Sequence, residues 1–365
     1  MDFITPQSAW TRFSADMSAS PQAAGELAGL ADEWLMKPPP SVVYKKHPAP
    51  SGDPHDYVSF GAYYWPDPAT PDGLPWINRD GEVNPIFYEY DSVALETLCP
   101  AINHLVTHAV FTGSAEHARG AGRYLRTWFI DPSTRMNPHL RYAQFVPGLA
   151  DGRPIGIIDT TSLVFLLDVA QRLPFNEDWM EQDLQALKKW FSQYVDWLLT
   201  SDFGKIESQA KNNHGTWYDA QVCAFLWFTG RLEEARPILE GSARARLAAQ
   251  IEPDGRQPHE LARTLSLTYC TYNLLAFICL ARVGEQLGID LWRGRLRAAL
   301  GWMYPYYHGR VWEHPQIKAF DLSAVALVLN LAGEREQLPR LSPQAWKHVT
   351  FSKAAMAARS YEGKK

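Results

Sequence analysis

The sequence predicts an all-α protein, an incomplete (α/α)n toroid of paired helices with long loops lining a central cleft. Three observations carry this expectation. Apolar residues recur at i, i+3, i+4 and i+7 from about residue 21 onward, sustained period-two alternation is scarce, and the breaks between periodic stretches are short with two exceptions.

The first periodic stretch, 21–35, opens on Ser20-Pro21, a favourable helix start. Helices follow at 87–110, 115–129 and 160–172. A further helix at 178–199 carries Trp179, Leu184, Leu187, Trp190, Phe191, Tyr194, Trp197 and Leu198 on one stripe. The pattern continues at 215–228, 232–249, 268–287, 291–303, 322–331 and 343–358. Successive helical hairpins that cannot bury their faces alone stack side by side, and closing the stack gives the toroid. No internal repeat period is visible, and no linker divides the chain, so a single catalytic domain over residues 1–365 is expected. The two exceptions, 37–85 and 135–159, are irregular and rich in Pro, Gly and aromatic residues. Loops of such length are functional or disordered, and runs such as Tyr63-Tyr64-Trp65 and Trp76 argue against disorder.

A chain of 365 residues with 46% hydrophobic side chains buries a substantial core. Its net charge of −5 speaks against nonspecific binding to nucleic acid or membrane surfaces, which need a broad basic face. An anionic partner must therefore meet a local basic pocket, and a monomer is expected. Cys99, Cys223, Cys270 and Cys279 lie in apolar surroundings without CxxC spacing, as buried thiols do. The N-terminal stretch is neither a signal peptide nor a membrane span; the location would be periplasmic or secreted if a signal has been removed. With 14 Trp, 16 Tyr and 16 Phe, the chain has rings enough for sugar platforms, although a large helical core also uses them.

Two polar clusters stand out. Glu207 leads into Lys211-Asn212-Asn213-His214-Gly215-Thr216-Trp217-Tyr218-Asp219, where a helix begins. Asn is a good cap, and amides at a helix start favour an anion, so Asn213 and His214 could hold a carboxylate there. A cap followed by a packed histidine is the alternative. The second cluster is His259-Glu260-Leu261-Ala262-Arg263, followed by Tyr269 and Tyr272. On one straight helix Arg263 and Tyr269 would stand about 120° apart. A bend, with Ser266 as a possible cap, is needed to turn both to one site; otherwise they are a surface arginine and a core tyrosine.

Together the clusters resemble a known family. NNHGTWYD at 212–219 and ELARTLSLTY at 260–269 are similar to the alginate-lyase-type α/α-toroid enzymes, most closely polysaccharide lyase family 38, which includes alginate and glucuronan lyases. The resemblance extends to YYWPDP at 63–68, DGLPWINRDGEVNP at 72–85 and NPHLRYAQ at 137–144. It implies that Tyr269 is the catalytic tyrosine, His214 the catalytic-site histidine, Asn213 a neutraliser of the substrate carboxylate and Arg263 the active-site arginine. It further implies a substrate-binding set of Glu207, Asn212, Tyr63, Tyr64, Trp65, Trp76, Arg79, Gln144, Trp217 and Tyr272. Older alginate lyases space the arginine and tyrosine one residue further apart, and in this the chain departs from them.

The implied reaction is β-elimination in a 1,4-linked uronic-acid polymer, leaving a 4,5-unsaturated uronate end. H5 of a uronate becomes acidic once the adjoining carboxylate is neutralised, a task for the aimed donors of Asn213, His214 and Arg263. A tyrosine with an ordinary pKa of about 10 is a poor base at neutral pH, and a cation beside it favours the phenolate. In β-linked mannuronate and glucuronate, H5 and the leaving O4 share a face, so one tyrosine can take the first proton and return it to the second. In α-linked guluronate they lie on opposite faces, and His214 would have to assist. The substrate expectation leans slightly toward glucuronan, with polymannuronate close behind.

Two rival readings remain at this level. A glycoside hydrolase on a similar toroid would need two carboxylates across the scissile bond, from Glu207, Asp219 and Glu260. A non-catalytic uronan-binding protein would use the aromatic loops alone. Neither cofactor nor metal is expected: eleven histidines are present without HExxH or an EF-hand run, and His104 and His108, which share a helix face, lack a third ligand.

Overall fold

The computed structural model describes residues 3–320, 328, 331 and 332. These form two compact units, one within Met1–Gly29 and Ser208–Phe351, the other within Leu30–Glu207. The helix expected at 322–331 is described only at residues 328, 331 and 332, which are helical, and that at 343–358 lies outside the described residues.

The first unit holds α1 (Gln7–Ala19) and, after the start of α2 (Pro21–Leu35), α8 (Asn213–Phe228), α9 (Arg236–Ile238), α10 (Arg244–Gln250), α11 (Pro258–Leu261), α12 (Ser266–Gln286) and α13 (Arg295–Tyr307). At its centre α12 packs along α8, with Trp217 against Tyr272 at a ring separation of 4.8 Å. Both helices are apolar on nearly every face because both are buried all round, which is why neither reads as amphipathic. A buried amide network fixes their register. Asn273 donates to Gln250 at 3.1 Å and to Gln257 at 2.9 Å, Thr216 donates to Gln250 at 2.8 Å, and Gln257 donates to the Cys270 carbonyl. Removing one member would strand the others away from water, at about 1–3 kcal/mol for each orphaned group.

The second unit contains α3 (Asp91–Thr112), α4 (Ala115–Leu125), α5 (Leu163–Ala170), α6 (Glu181–Thr200) and α7 (Asp202–Glu207). Here α3 packs against α4 and α5. The segments expected to be irregular are ordered by four short strands. Parallel pairing joins β1 (Val58–Phe60) to β4 (Tyr142–Phe145), and antiparallel pairing joins β2 (Tyr64–Trp65) to β3 (Ile77–Asn78). Runs of two to four residues are too short to show alternation, so the sequence pattern hides them.

Several helix bounds differ from expectation for local reasons. The Pro85–Glu89 and Pro154–Thr160 segments are 3-10 turns, so α3 and α5 start later than their apolar patterns. The stretch at 232–249 is broken where Pro237 removes an amide donor, and a π turn, Leu239–Ala243, precedes α10. The helices α1, α7 and α11 were not expected.

Candidate active site

Asn212, not Asn213, caps α8: its side chain accepts from the His214 backbone N–H at 3.3 Å. Asn213 is the first helical residue and is fully buried. Its backbone N–H donates to one oxygen of Glu260 and its side-chain Nδ2 to the other, each at 2.7 Å. The two leading amides of the helix are thus engaged within the protein, which corrects the expectation that they hold a substrate carboxylate. Asn213 Oδ1 is buried and has no hydrogen-bond partner among the described residues.

The start of α8 is built to stay in place. Arg246 on α10 donates to Asp219 at 2.7 Å and to the Ala210 carbonyl at 2.6 Å, and it also reaches the Ser208 carbonyl. This guanidinium lies so near Gly215 that a Cβ there would come within 2.2 Å of it and 2.1 Å of the Ala210 oxygen. Asp219, buried and raised by desolvation against the pull of Arg246, also accepts from Ser242 at 2.8 Å. Its carboxylate is committed to structure.

The bend required between Arg263 and Tyr269 is present. Helix α11 ends at Leu261, α12 begins at Ser266, and the intervening turn brings the Arg263 guanidinium over the Tyr269 ring, 3.7 Å from its centroid. Ser266 is the first residue of α12 and not its cap; its hydroxyl donates to the Pro315 carbonyl. The 312–317 segment is laced to this turn: Trp312 Nε1 donates to Ser266, Gln316 accepts from the Leu267 amide at 3.0 Å, and the Ile317 amide donates to Thr264. Both Arg263 and Tyr269 remain partly exposed, as does His214. Glu260 is 1% exposed, and burial raises its carboxyl despite the opposing hydrogen bonds from Asn213 and the charges of Arg263 and His214.

Of the remaining expected residues in this unit, Trp217 is fully buried and Tyr272 nearly so, packed ring against ring. They pack between α8 and α12 beside the candidate site.

In the second unit, Tyr63, Tyr64, Trp65, Trp76 and Arg79 share one ordered segment, all half-buried. The Arg79 guanidinium lies 5.4 Å from the Trp65 ring, and Trp65 Nε1 donates to the Glu82 carbonyl at 2.9 Å. Trp76 meets Phe60 edge-on at 5.3 Å. Gln144 has φ +52°, the one positive value among described non-glycine residues, a conformation that costs energy and persists only where its surroundings impose it. Those surroundings are explicit. Its amide donates to Asp159 at 3.1 Å and accepts from Arg153 at 3.0 Å, and its backbone N–H donates to Ser59 at 2.8 Å. Arg153 also donates to the Tyr64 hydroxyl at 2.9 Å and lies over that ring at 4.5 Å. No sequence motif marked Arg153 or Asp159. Glu207 ends α7 and is buried. Among the described residues no group of three or more His, Cys, Asp or Glu is placed to hold a metal, and the four cysteines are buried thiols outside any disulfide.

The chain matches the alginate lyase family over residues 41–312, about three quarters of its length. It belongs to the alginate lyase family. It is also similar, at 33% identity and a TM-score of 0.88, to the crystal structure of an alginate lyase from Bacteroides ovatus, covering 95% of this chain and 98% of that one. An alginate lyase, A1-III, from Sphingomonas species A1 shares the fold at 15% identity and a TM-score of 0.54, covering 86% of this chain and 89% of that one. A variant of that enzyme complexed with tetrasaccharide matches equally well, at 15% identity and 0.54, over 88% of both chains. No curated protein sequence matches. These structures are α/α toroids, and the lyase described here has their all-α fold.

Family membership makes the protein a polysaccharide lyase, cleaving uronan polymers by β-elimination. The candidate site agrees with elimination better than with hydrolysis. Two of the three carboxylates a hydrolase could have used are spoken for, Asp219 by Arg246 and Ser242, and Glu260 by Asn213.

Proposed function

We propose that the enzyme is a member of polysaccharide lyase family 38 acting on β-1,4-linked uronans, glucuronan and polymannuronate, with Tyr269 as both base and acid. The observation that carries this reading is the Arg263 guanidinium 3.7 Å from the Tyr269 ring centroid. A cation held there favours the phenolate over the phenol. It also costs no reorganisation when charge develops during the reaction.

In the proposed cycle, the second amide hydrogen of Asn213, the His214 ring and Arg263 neutralise the carboxylate at C6. The Tyr269 phenolate then takes H5, the electron pair at C5 forms the C4–C5 double bond, and the C4–O4 bond breaks. The proton now on Tyr269 passes to O4 of the departing chain, which restores the phenolate. Each proton and electron pair is accounted for, and no external acid is required. Half-buried Tyr63, Tyr64, Trp65 and Trp76, with Arg79, are suited to sugar rings and their carboxylates, and Gln144 holds the shape of their surroundings. Asn212 contributes by capping α8.

Stereochemistry supports the β-linked substrates, since only there do H5 and O4 share the face that one phenol reaches. The Bacteroides ovatus relative is named an alginate lyase, which supports polymannuronate as one of the two. Assaying glucuronan, polymannuronate and polyguluronate side by side tests the proposal through the ultraviolet absorbance of the unsaturated product. Activity on one or both of the first two and little on the third is expected. A clear preference for polyguluronate would transfer the role of principal base to His214.

A further inference from the structure

We infer that Glu260 is a positioning residue of the lyase reaction, acting by fixing the orientation of the Asn213 amide. This rests on the role proposed for Asn213. Four observations support it. Glu260 is 1% exposed, its two oxygens each accept one hydrogen bond of 2.7 Å, and both donors belong to Asn213. The Asn213 side chain has no other partner among the described residues, since its Oδ1 is buried and unsatisfied. A carboxylate accepts and cannot donate, so it dictates that Nδ2 faces it and Oδ1 faces away. A neutral amide at position 260 would not.

The expense of this arrangement argues that it serves function. A buried carboxylate with only neutral donors in hydrogen-bond contact is costly, and the same space could hold glutamine with both hydrogen bonds intact. Glutamine would accept from the Asn213 backbone N–H and donate to Oδ1, satisfying the orphan by turning the Asn213 amide over. The charged residue therefore holds a less comfortable rotamer of its partner. The other titratable groups facing Glu260 are His214 from α8, Arg263 from the following turn and Cys270 from α12. Removing the carboxylate charge makes this neighbourhood more positive.

Glu260→Gln tests the inference because it preserves shape while reversing the hydrogen-bond polarity of one atom. Its turnover on a uronan that the wild type cleaves should fall about 10²-fold, the scale of a misplaced catalytic group. Its Tm should stay at or above that of the wild type, since a buried charge is replaced by a satisfied amide. The rising limb of the pH–rate profile should move to lower pH, because the Glu260 charge no longer offsets that of Arg263 over the Tyr269 ring. A cycle with Asn213→Ala completes the test: if Glu260 acts through Asn213, adding Glu260→Gln to Asn213→Ala should cost less than about threefold more, whereas independent effects would multiply. Fully multiplicative losses overturn the inference, as does a fall in Tm that accompanies unchanged turnover. Should the glutamine variant not fold, Glu260→Asp takes its place in the cycle, and independence there overturns the inference equally. Wild-type turnover in Asn213→Ala alone would instead remove Asn213 from the mechanism, so the two failures are distinguishable.

Discussion

Replacing Tyr269 by Phe removes one oxygen and leaves everything else about the side chain in place. The aromatic face on which Arg263 rests at 3.7 Å is retained, and so is the position of the ring at the first turn of α12. Tyr269 is partly exposed, so its hydroxyl does not face the full penalty of burial, and the loss of stability should stay within about 1–2 kcal/mol, the scale of one hydrogen bond. Catalysis should respond quite differently. General acid–base catalysis contributes about 10²–10⁴-fold for one proton transfer, and here one phenol serves two, the removal of H5 and the protonation of O4. Turnover is expected to fall by at least about 10³, with KM little changed because the ring and the charged groups that bind substrate remain. The assay is the rise in ultraviolet absorbance of the 4,5-unsaturated end, with circular dichroism and Tm recorded on the same preparation. A folded Tyr269→Phe variant with near-normal turnover would falsify the mechanism and leave this tyrosine a packing residue.

Arg263→Ala should lower turnover and move the rising limb of the pH–rate profile upward, because a unit charge about 4 Å away is worth roughly 1 kcal/mol even at the dielectric of water; an unmoved limb would exclude its electrostatic role. Trp65→Ala should raise KM for long polymer more than it lowers Tm, since the ring is half-buried with the Arg79 guanidinium over it; equal kinetics on long and short substrates would remove this segment from the binding surface. Activity should survive EDTA, as carboxylate neutralisation is assigned to Asn213, His214 and Arg263. A full loss restored by calcium would reverse that division of labour.

The chemistry-bearing residues were legible in the sequence where neighbours in the chain are neighbours in space. Asn213 and His214 adjoin at a helix start, and the arc between Arg263 and Tyr269 demanded a bend that the turn between α11 and α12 supplies. What escaped is long-range. The clamp of Glu260 on Asn213 spans 47 positions, and that of Arg153 on Tyr64 spans 89, so no local periodicity could reveal either. Which of the two adjacent asparagines caps α8 could not be read from the sequence, and only the acceptor geometry at His214 N assigns the cap to Asn212. The burial of Trp217 against Tyr272 was equally hidden, because a motif names a ring without showing what covers it. The eleven expected helices captured the class of the fold, while the short strands were lost inside segments whose order comes from pairing with distant residues.

The segment that carries the aromatic residues is tied down by a buried ion pair whose titration bears on stability near neutral pH. Asp91, at the start of α3, accepts from the Val58 amide at 2.9 Å and lies 3.7 Å from Lys45, both charged side chains being almost wholly buried. Lys45 also donates to the Val42 and Pro54 carbonyls. Burial raises the Asp91 carboxyl to about 7, against the pull of Lys45, and burial lowers Lys45 in turn. An acid raised in the folded state binds its proton more tightly there than in the unfolded chain, whose carboxyl titrates at about 3.9. Its stabilising contribution is therefore complete below the unfolded value and is lost as pH rises through the folded one. About three pH units of such linkage, at roughly 1.4 kcal/mol each, give a loss on the order of 4 kcal/mol between acid and neutral pH. Asp91→Asn keeps an acceptor for Val58 and abolishes the titration. The stability of the wild type minus that of Asp91→Asn should then decline by at least about 2 kcal/mol between pH 4.5 and 7.5 in urea unfolding. A gap that is flat with pH would show that Lys45 holds the carboxylate ionised throughout. That loss is complete soon above the folded value, so it falls between acid and neutral pH and adds no further decline at the alkaline end. Asp91→Asn should accordingly flatten the fall in stability toward neutral pH without altering the rising limb of the pH–rate profile.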